Sequence, residues 1–145
     1  MAMTVSPRDA ADSMYADDRA TKALGIVIVD VTHGCAVVTM TVREDMVNGL
    51  DICHGGIVFL LADSALAYAS NSYNNHAVAS NAEIDWVRPA RRGDVLTATA
   101  TERHRAGRSA ITDVVVSNDR GETVAHFRGR TRLVEGQHLQ SAGPD

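Results

Sequence analysis

Between Asn48 and Asn71 the chain reads NGLDICHGGIVFLLADSALAYASN, and three features there could do chemistry. From Gly55 to Ser70 every residue is apolar or small except Asp63, a carboxylate in the middle of a predicted buried helix. An ionised carboxylate is costly in such a place, so Asp63 either has a neutralising partner or faces a cavity where its charge is used. The helix opens with His54-Gly55-Gly56, and glycine N–H groups at a helix start stay open to a ligand oxygen, in a dipole that favours negative charge. Ahead of it, a polar loop brings Asn48 near the same helix start. One element therefore offers an oxyanion-type site at its tip and a base on its body. At about 1.5 Å of rise per residue, Gly55 and Asp63 lie roughly 12 Å apart, whereas reacting groups must approach to ~3–3.5 Å. A working site then combines Gly55 of one subunit with Asp63 of another, and the spacing predicts a homodimer.

The elements that must position these residues follow from pattern. Met1–Pro7 is expected to be disordered, and RDAADSMYADDRATK, Arg8 to Lys22, predicts one short helix lying on the surface, acids toward its start and bases toward its end. Ala23 to Val42 predicts a hairpin, with two β-branched runs turning at Thr32-His33-Gly34. A loop from Arg43 to Cys53 leads into the helix, which Asn71–Asn75 ends with turn-forming residues. Four strands follow over Ala77–Val87, Asp94–Arg105, Ser109–Asn118 and Glu122–Val134, the first with Val78, Ser80, Ala82, Ile84 and Trp86 on one face. From Glu135 on the tail has no core pattern and is expected to be loose. The order α–ββ–α–ββββ with short turns predicts an α+β fold, a mostly antiparallel sheet on one long buried helix. The expected division is residues 1–22, a single domain over 23–134, and a disordered tail over 135–145.

At 145 residues the chain suits one domain with a sizeable core. No apolar run approaches a membrane span and no leader pattern opens the chain, which predicts a cytoplasmic protein without membrane partners. Cys35 and Cys53 have no motif spacing and read as free thiols. The six histidines are scattered without ligand spacing, so no metal is expected. The net charge of −4 is uneven: residues 1–87 carry −7, residues 88–134 carry +5, and every basic residue of that second stretch is Arg. Singly such residues read as a solvated, ion-paired face; together Arg88, Arg91, Arg92, Arg103, Arg105 and Arg108 permit an anionic partner such as phosphate. Few aromatics and an acidic whole disfavour nucleic acid. Trp86 and Tyr73 read as core or pocket wall.

The arrangement N-x5-H-G-G-x6-D of Asn48, His54-Gly55-Gly56 and Asp63, with SALAYASNS and ASNAEIDWVRPARRGD after it, resembles the PaaI-type branch of the hotdog-fold acyl-CoA thioesterases over roughly residues 20–134. The resemblance implies a six-stranded antiparallel sheet curled round the central helix, in dimers with shared sites that pair into homotetramers. It implies that Asp63 is the base or nucleophile, that the Gly55 N–H polarises the thioester carbonyl beside Gly56, and that Asn48 places water or thioester. His54 shapes the loop and caps the helix. Ser80 or Asn81 could assist, and Arg88, Arg91, Arg108 and Ser109 lie in turns where the family meets the nucleotide end of coenzyme A. Coenzyme A enters as part of the substrate, and no other cofactor is implied. The implied reaction is hydrolysis of an aryl- or phenylacetyl-type acyl-CoA, a hydroxyphenylacetyl group foremost. A medium-chain acyl-CoA thioesterase, a non-catalytic acyl-CoA-binding protein and a hotdog hydratase or dehydratase are the alternatives.

Overall fold

The structure, a computed structural model, describes residues 4–141. Its elements are α1 (Pro7–Asp17), α2 (Arg19–Ala23), β1 (Val27–Thr32), β2 (Cys35–Thr41), a 3-10 turn (Glu44–Met46), α3 (Gly55–Ser70), β3 (Asn75–Trp86), β4 (Val95–Ala106), β5 (Ser109–Ser117) and β6 (Thr123–Gln137). One six-stranded sheet runs in the order β1-β2-β4-β5-β6-β3, and every neighbouring pair is antiparallel. α3 touches all six strands, so the sheet wraps the helix. This is the hotdog architecture.

Alternation sets the inner face. Ala36, Val38 and Met40 of β2, Leu96, Ala98 and Ala100 of β4, and Val114 and Val116 of β5 are buried against Leu61, Ala62, Ala65, Leu66 and Ala69 of α3. Small side chains on both sides let helix and sheet approach closely. At Gly129 of β6 any Cβ would collide with the Leu66 side chain, so glycine there makes room for the helix.

The helix is not wrapped all the way round as its apolar sequence suggests. Gly56 is exposed and Leu60, Asp63 and Ala67 are half-buried, a stripe at helical spacing along the side turned away from the sheet. The single surface helix expected near the N-terminus is two. Asp18 interrupts it with φ −85° and ψ 83°, its carboxylate accepting the Thr21 N–H to start α2 and the Tyr68 hydroxyl at 2.8 Å. α1 is also partly buried, Ala10 and Ala11 being inaccessible, and the Tyr15 hydroxyl donates to the Ile26 carbonyl at 2.7 Å. Of the segment expected to be disordered, residues 1–3 lie outside the described residues, and Ser6 and Pro7 begin α1 as N-cap and first turn. The alternation expected in β3 fails at Val78 and Ser80 because register shifts fall between Asn75 and Ala77 and between Ala79 and Asn81, whereas Trp86 lies beyond them at the strand end. Only Ala82 and Ile84 of the expected face pack on the core, while Val78, Ser80 and Trp86 are exposed.

The C-terminal tail departs from expectation too. β6 continues to Gln137, and the next residues are tied down: Asn74 exchanges hydrogen bonds with the Leu139 backbone, and the His138 ring meets Asn71 Oδ1 at 2.7 Å. Residues 142–145 of that tail lie outside the described residues.

Candidate active site

The start of α3 is held by the loop before it. The Cys53 N–H donates to the Ala90 carbonyl and the His54 N–H to the Met46 carbonyl, each at 2.8 Å. His54 is the N-cap: its Nδ1 accepts the Gly56 N–H at 3.0 Å, and its carbonyl accepts the Ile57 and Val58 N–H groups at 2.9 and 3.3 Å. The Gly56 amide is thus occupied, against the expectation that both glycine amides stay open. Among the described residues the Gly55 N–H alone in this first turn has no acceptor. It points out of a 16-residue helix whose dipole favours an anion there.

Asn48 is fixed by its own loop. Its Oδ1 accepts from the Leu50 and Ile52 N–H groups at 3.0 and 3.2 Å, while its backbone N–H donates to the Ile52 carbonyl at 2.8 Å. That choice of acceptor fixes the amide orientation and leaves Nδ2 as a donor.

Asn48 and Gly55 line one cavity of about 310 Å³ with Trp86 and Arg88. Its floor is apolar and buried, formed by Cys53, Val58, Ala90 and Val124. Burial and the nearby Asp94 carboxylate push the Cys53 thiol up to about 11, so it is a protonated wall group at neutral pH. Trp86, read from sequence as core or wall, is a wall with a further contact: its Nε1–H donates to the Gly55 carbonyl at 3.1 Å. Its place as the single Trp, within IDWVRP just before Pro89 closes the strand, was the available signal.

Asp63 lies outside this cavity, half-buried in the open stripe of α3. Among the described residues no side chain pairs with it, and burial alone raises its pKa above the ordinary carboxylate value. Within one protomer the Asp63 carboxylate and the free Gly55 amide are therefore apart.

The remaining sequence candidates are dispersed. Arg88 stands at the cavity rim, its Nη1 donating to the Thr123 carbonyl at 3.0 Å and its Nε 3.4 Å from Glu122. The exposed Arg91 follows the cavity wall; its backbone N–H donates to Asp94. Ser80 donates to the Arg130 carbonyl at 3.3 Å, and Asn81 is exposed on the same edge strand. Arg108, which donates to the Leu133 carbonyl, and Ser109 line a recess with Ser70 at the far end of α3. Three further arginines of the basic segment stand in local pairs: Arg92 with Glu44, Arg103 with Asp113, and Arg105 with Glu102 beneath the Tyr73 ring.

No group of three or more His, Cys, Asp or Glu side chains among the described residues could hold a metal, and no helix there is long and apolar enough to cross a membrane.

The family model for the thioesterase superfamily matches residues 50–125, which contain α3, β3, β4, β5 and the first residues of β6. Fold and site together are those of a hotdog-fold thioester hydrolase. Among curated proteins, acyl-coenzyme A thioesterase PaaI of Escherichia coli K12 is 48% identical over 126 residues, spanning 87% of this chain and 90% of the relative. The structure of the E. coli PaaI protein from the phenylacetic acid degradation operon superposes with a TM-score of 0.89 at 46% identity, over 90% of this chain and 95% of that one. A variant of the phenylacetic acid degradation protein PaaI from Thermus thermophilus superposes at 0.78 with 36% identity, over 81% of this chain and 100% of that one. The chain belongs to the PaaI-type branch of the thioesterase superfamily.

Proposed function

We propose that this protein hydrolyses the thioester bond of an aryl- or phenylacetyl-type acyl-CoA, hydroxyphenylacetyl-CoA foremost, to the free acid and coenzyme A. The observation that carries this is the unpartnered Gly55 N–H at the start of α3, beside a cavity with an apolar floor. The thioester oxygen accepts from the Gly55 N–H and gains most from it as negative charge develops in the tetrahedral intermediate. The Nδ2 of Asn48 is the second donor available to that oxygen or to the attacking water.

Asp63 of a second subunit supplies the base. In the water route it takes a proton from water as the oxygen bonds to the carbonyl carbon; the C–S bond then breaks and the proton passes to the departing thiolate. In the nucleophilic route its carboxylate bonds to that carbon, expels the thiolate and leaves a mixed anhydride for water to open. Label found in Asp63 after single-turnover hydrolysis in 18O-water establishes the nucleophilic route, since only water attack on the Asp63 carbon of the anhydride can put it there.

Two features support a shared site. The α3 stripe with Asp63 is open in one protomer, and β3 is an edge strand of 12 residues with one side unpaired. In the shared site we assign, two α3 helices run antiparallel about the level midway between Gly55 and Asp63, so that each subunit's Asp63 faces the other's Gly55. We assign residues 23–134 as the catalytic domain of a homodimer that pairs into a homotetramer, as the resemblance implies. Arg88 and Arg91 at the rim are the groups we assign to the coenzyme A phosphates, with Arg108, Ser109, Ser80 and Asn81 coming from across the boundary. We assign the reaction to the cytoplasm, a location that a coenzyme A thioester substrate supports.

The test is thiol release from a panel of phenylacetyl-, hydroxyphenylacetyl-, benzoyl- and medium-chain acyl-CoAs. Preference for arylacetyl groups is the expected result; no release from any of them refutes the assignment.

A further inference from the structure

The cavity beside Gly55 has one wall that the reaction scheme leaves without a role. Trp86 is the chain's single tryptophan and stands at the end of β3 with 54% of its surface exposed. An exposed indole is usually mobile, but this one is held twice. Its Nε1–H donates to the Gly55 carbonyl at 3.1 Å, and its ring edge rests on Gly55 so closely that a Cβ there would lie 3.2 Å from Cε2 and Nε1. The ring is therefore a fixed plane beside the amide that receives the thioester oxygen. It is the one aromatic side chain of the lining; the buried apolar residues Cys53, Val58, Ala90 and Val124 offer volume but no ring.

We propose that Trp86 is the residue that selects aromatic acyl groups: the indole surface turned away from Gly55 stacks on the acyl ring once the thioester oxygen sits on the Gly55 N–H. This rests on the thioesterase reading and deepens it. Offset stacking on a wall already held in place adds attraction that a flexible aliphatic chain cannot match, without the cost of ordering the protein side.

The test uses the only tryptophan as its own probe. In the Asp63→Asn protein, which traps substrate, phenylacetyl-CoA is expected to change the tryptophan emission saturably, whereas coenzyme A alone does not. In the wild-type background, Trp86→Leu is expected to lower kcat/KM for phenylacetyl-CoA roughly 3- to 10-fold more than for hexanoyl-CoA. Trp86→Phe loses the N–H bond but keeps a ring and should retain most of the aryl preference. Unchanged thermal midpoints verify that both variants fold. Saturable binding by calorimetry with no emission change refutes the proposal, as does a Trp86→Leu loss that is equal for both substrates, which would leave Trp86 only a prop for Gly55. If the wild-type protein neither binds nor hydrolyses any acyl-CoA, the thioesterase reading fails and the proposal falls with it.

Discussion

Replacing Gly55 by proline removes the proposed oxyanion donor with little else disturbed. The Gly55 N–H has no acceptor in the protein, so no internal hydrogen bond is lost. Position 55 opens α3, where proline is favoured, and His54 before it has ψ 132°, within the extended range that a residue preceding proline requires. The new Cβ would sit 3.2 Å from the Trp86 ring, which is half-exposed and can yield by a few tenths of an ångström. Weakening the Trp86 hydrogen bond costs about 1 kcal/mol, and restricting the unfolded chain returns roughly 0.4–1 kcal/mol. Stability should thus stay within about 1 kcal/mol of the wild type. The rate should not: losing one oxyanion donor lowers kcat on the order of 100- to 1000-fold. Gly55→Ala is the matched control, because it brings the same Cβ against Trp86 but keeps the N–H. Coenzyme A release followed with a thiol reagent, alongside thermal unfolding, gives the comparison. If the proline and alanine variants hydrolyse acyl-CoA within about 3-fold of each other, the Gly55 amide is not the donor and the mechanism is wrong.

Asp63→Asn should abolish most turnover yet raise the thermal midpoint at neutral pH. Burial raises the pKa of Asp63, so the folded state holds its proton more tightly than the unfolded chain; stability is lost as pH climbs through the raised value, and the Asn advantage should vanish below the ordinary carboxylate range. A midpoint unchanged or lowered at pH 7 contradicts this. The same shift predicts that kcat/KM rises with pH along an acid limb above the usual carboxylate pKa, since the base must be ionised. Mixing Asp63→Asn and Gly55→Pro subunits at random makes about half the dimers mixed, each with one intact site, so about a quarter of wild-type activity should return; recovery no greater than the parents' sum, with heterodimers verified, excludes a shared site. Asn48→Asp keeps the oxygen that the Leu50 and Ile52 N–H groups use but turns the remaining Nδ2 donor into an acceptor. It should fold normally and lose roughly 100-fold in kcat/KM, and wild-type turnover would remove Asn48 from the mechanism.

Local pattern carried much of this protein. Alternation over β2, β4 and β5 and the apolar run of α3 fix which residues meet in the core, because side-chain direction repeats with backbone geometry. The same periodicity misled at β3, where register shifts reset the alternation, and at the N-terminus, where Asp18 breaks the helix to reach Thr21 and Tyr68. It also overstated the burial of α3, since an all-apolar helix can be covered by a second copy as well as by its own sheet. Those outcomes turn on partners distant in sequence.

By itself the sequence determined the helix that bears Asp63, the glycine start with its N-cap His54, and the distance between base and amide, all properties of one continuous element. Only the tertiary structure decided which amide is free, which atom of Asn48 remains a donor, that Trp86 braces Gly55, and that Arg103 and Arg105 are already paired. A hydrogen bond is made or withheld by whatever the folded chain brings within about 3 Å, and linear spacing says nothing of that.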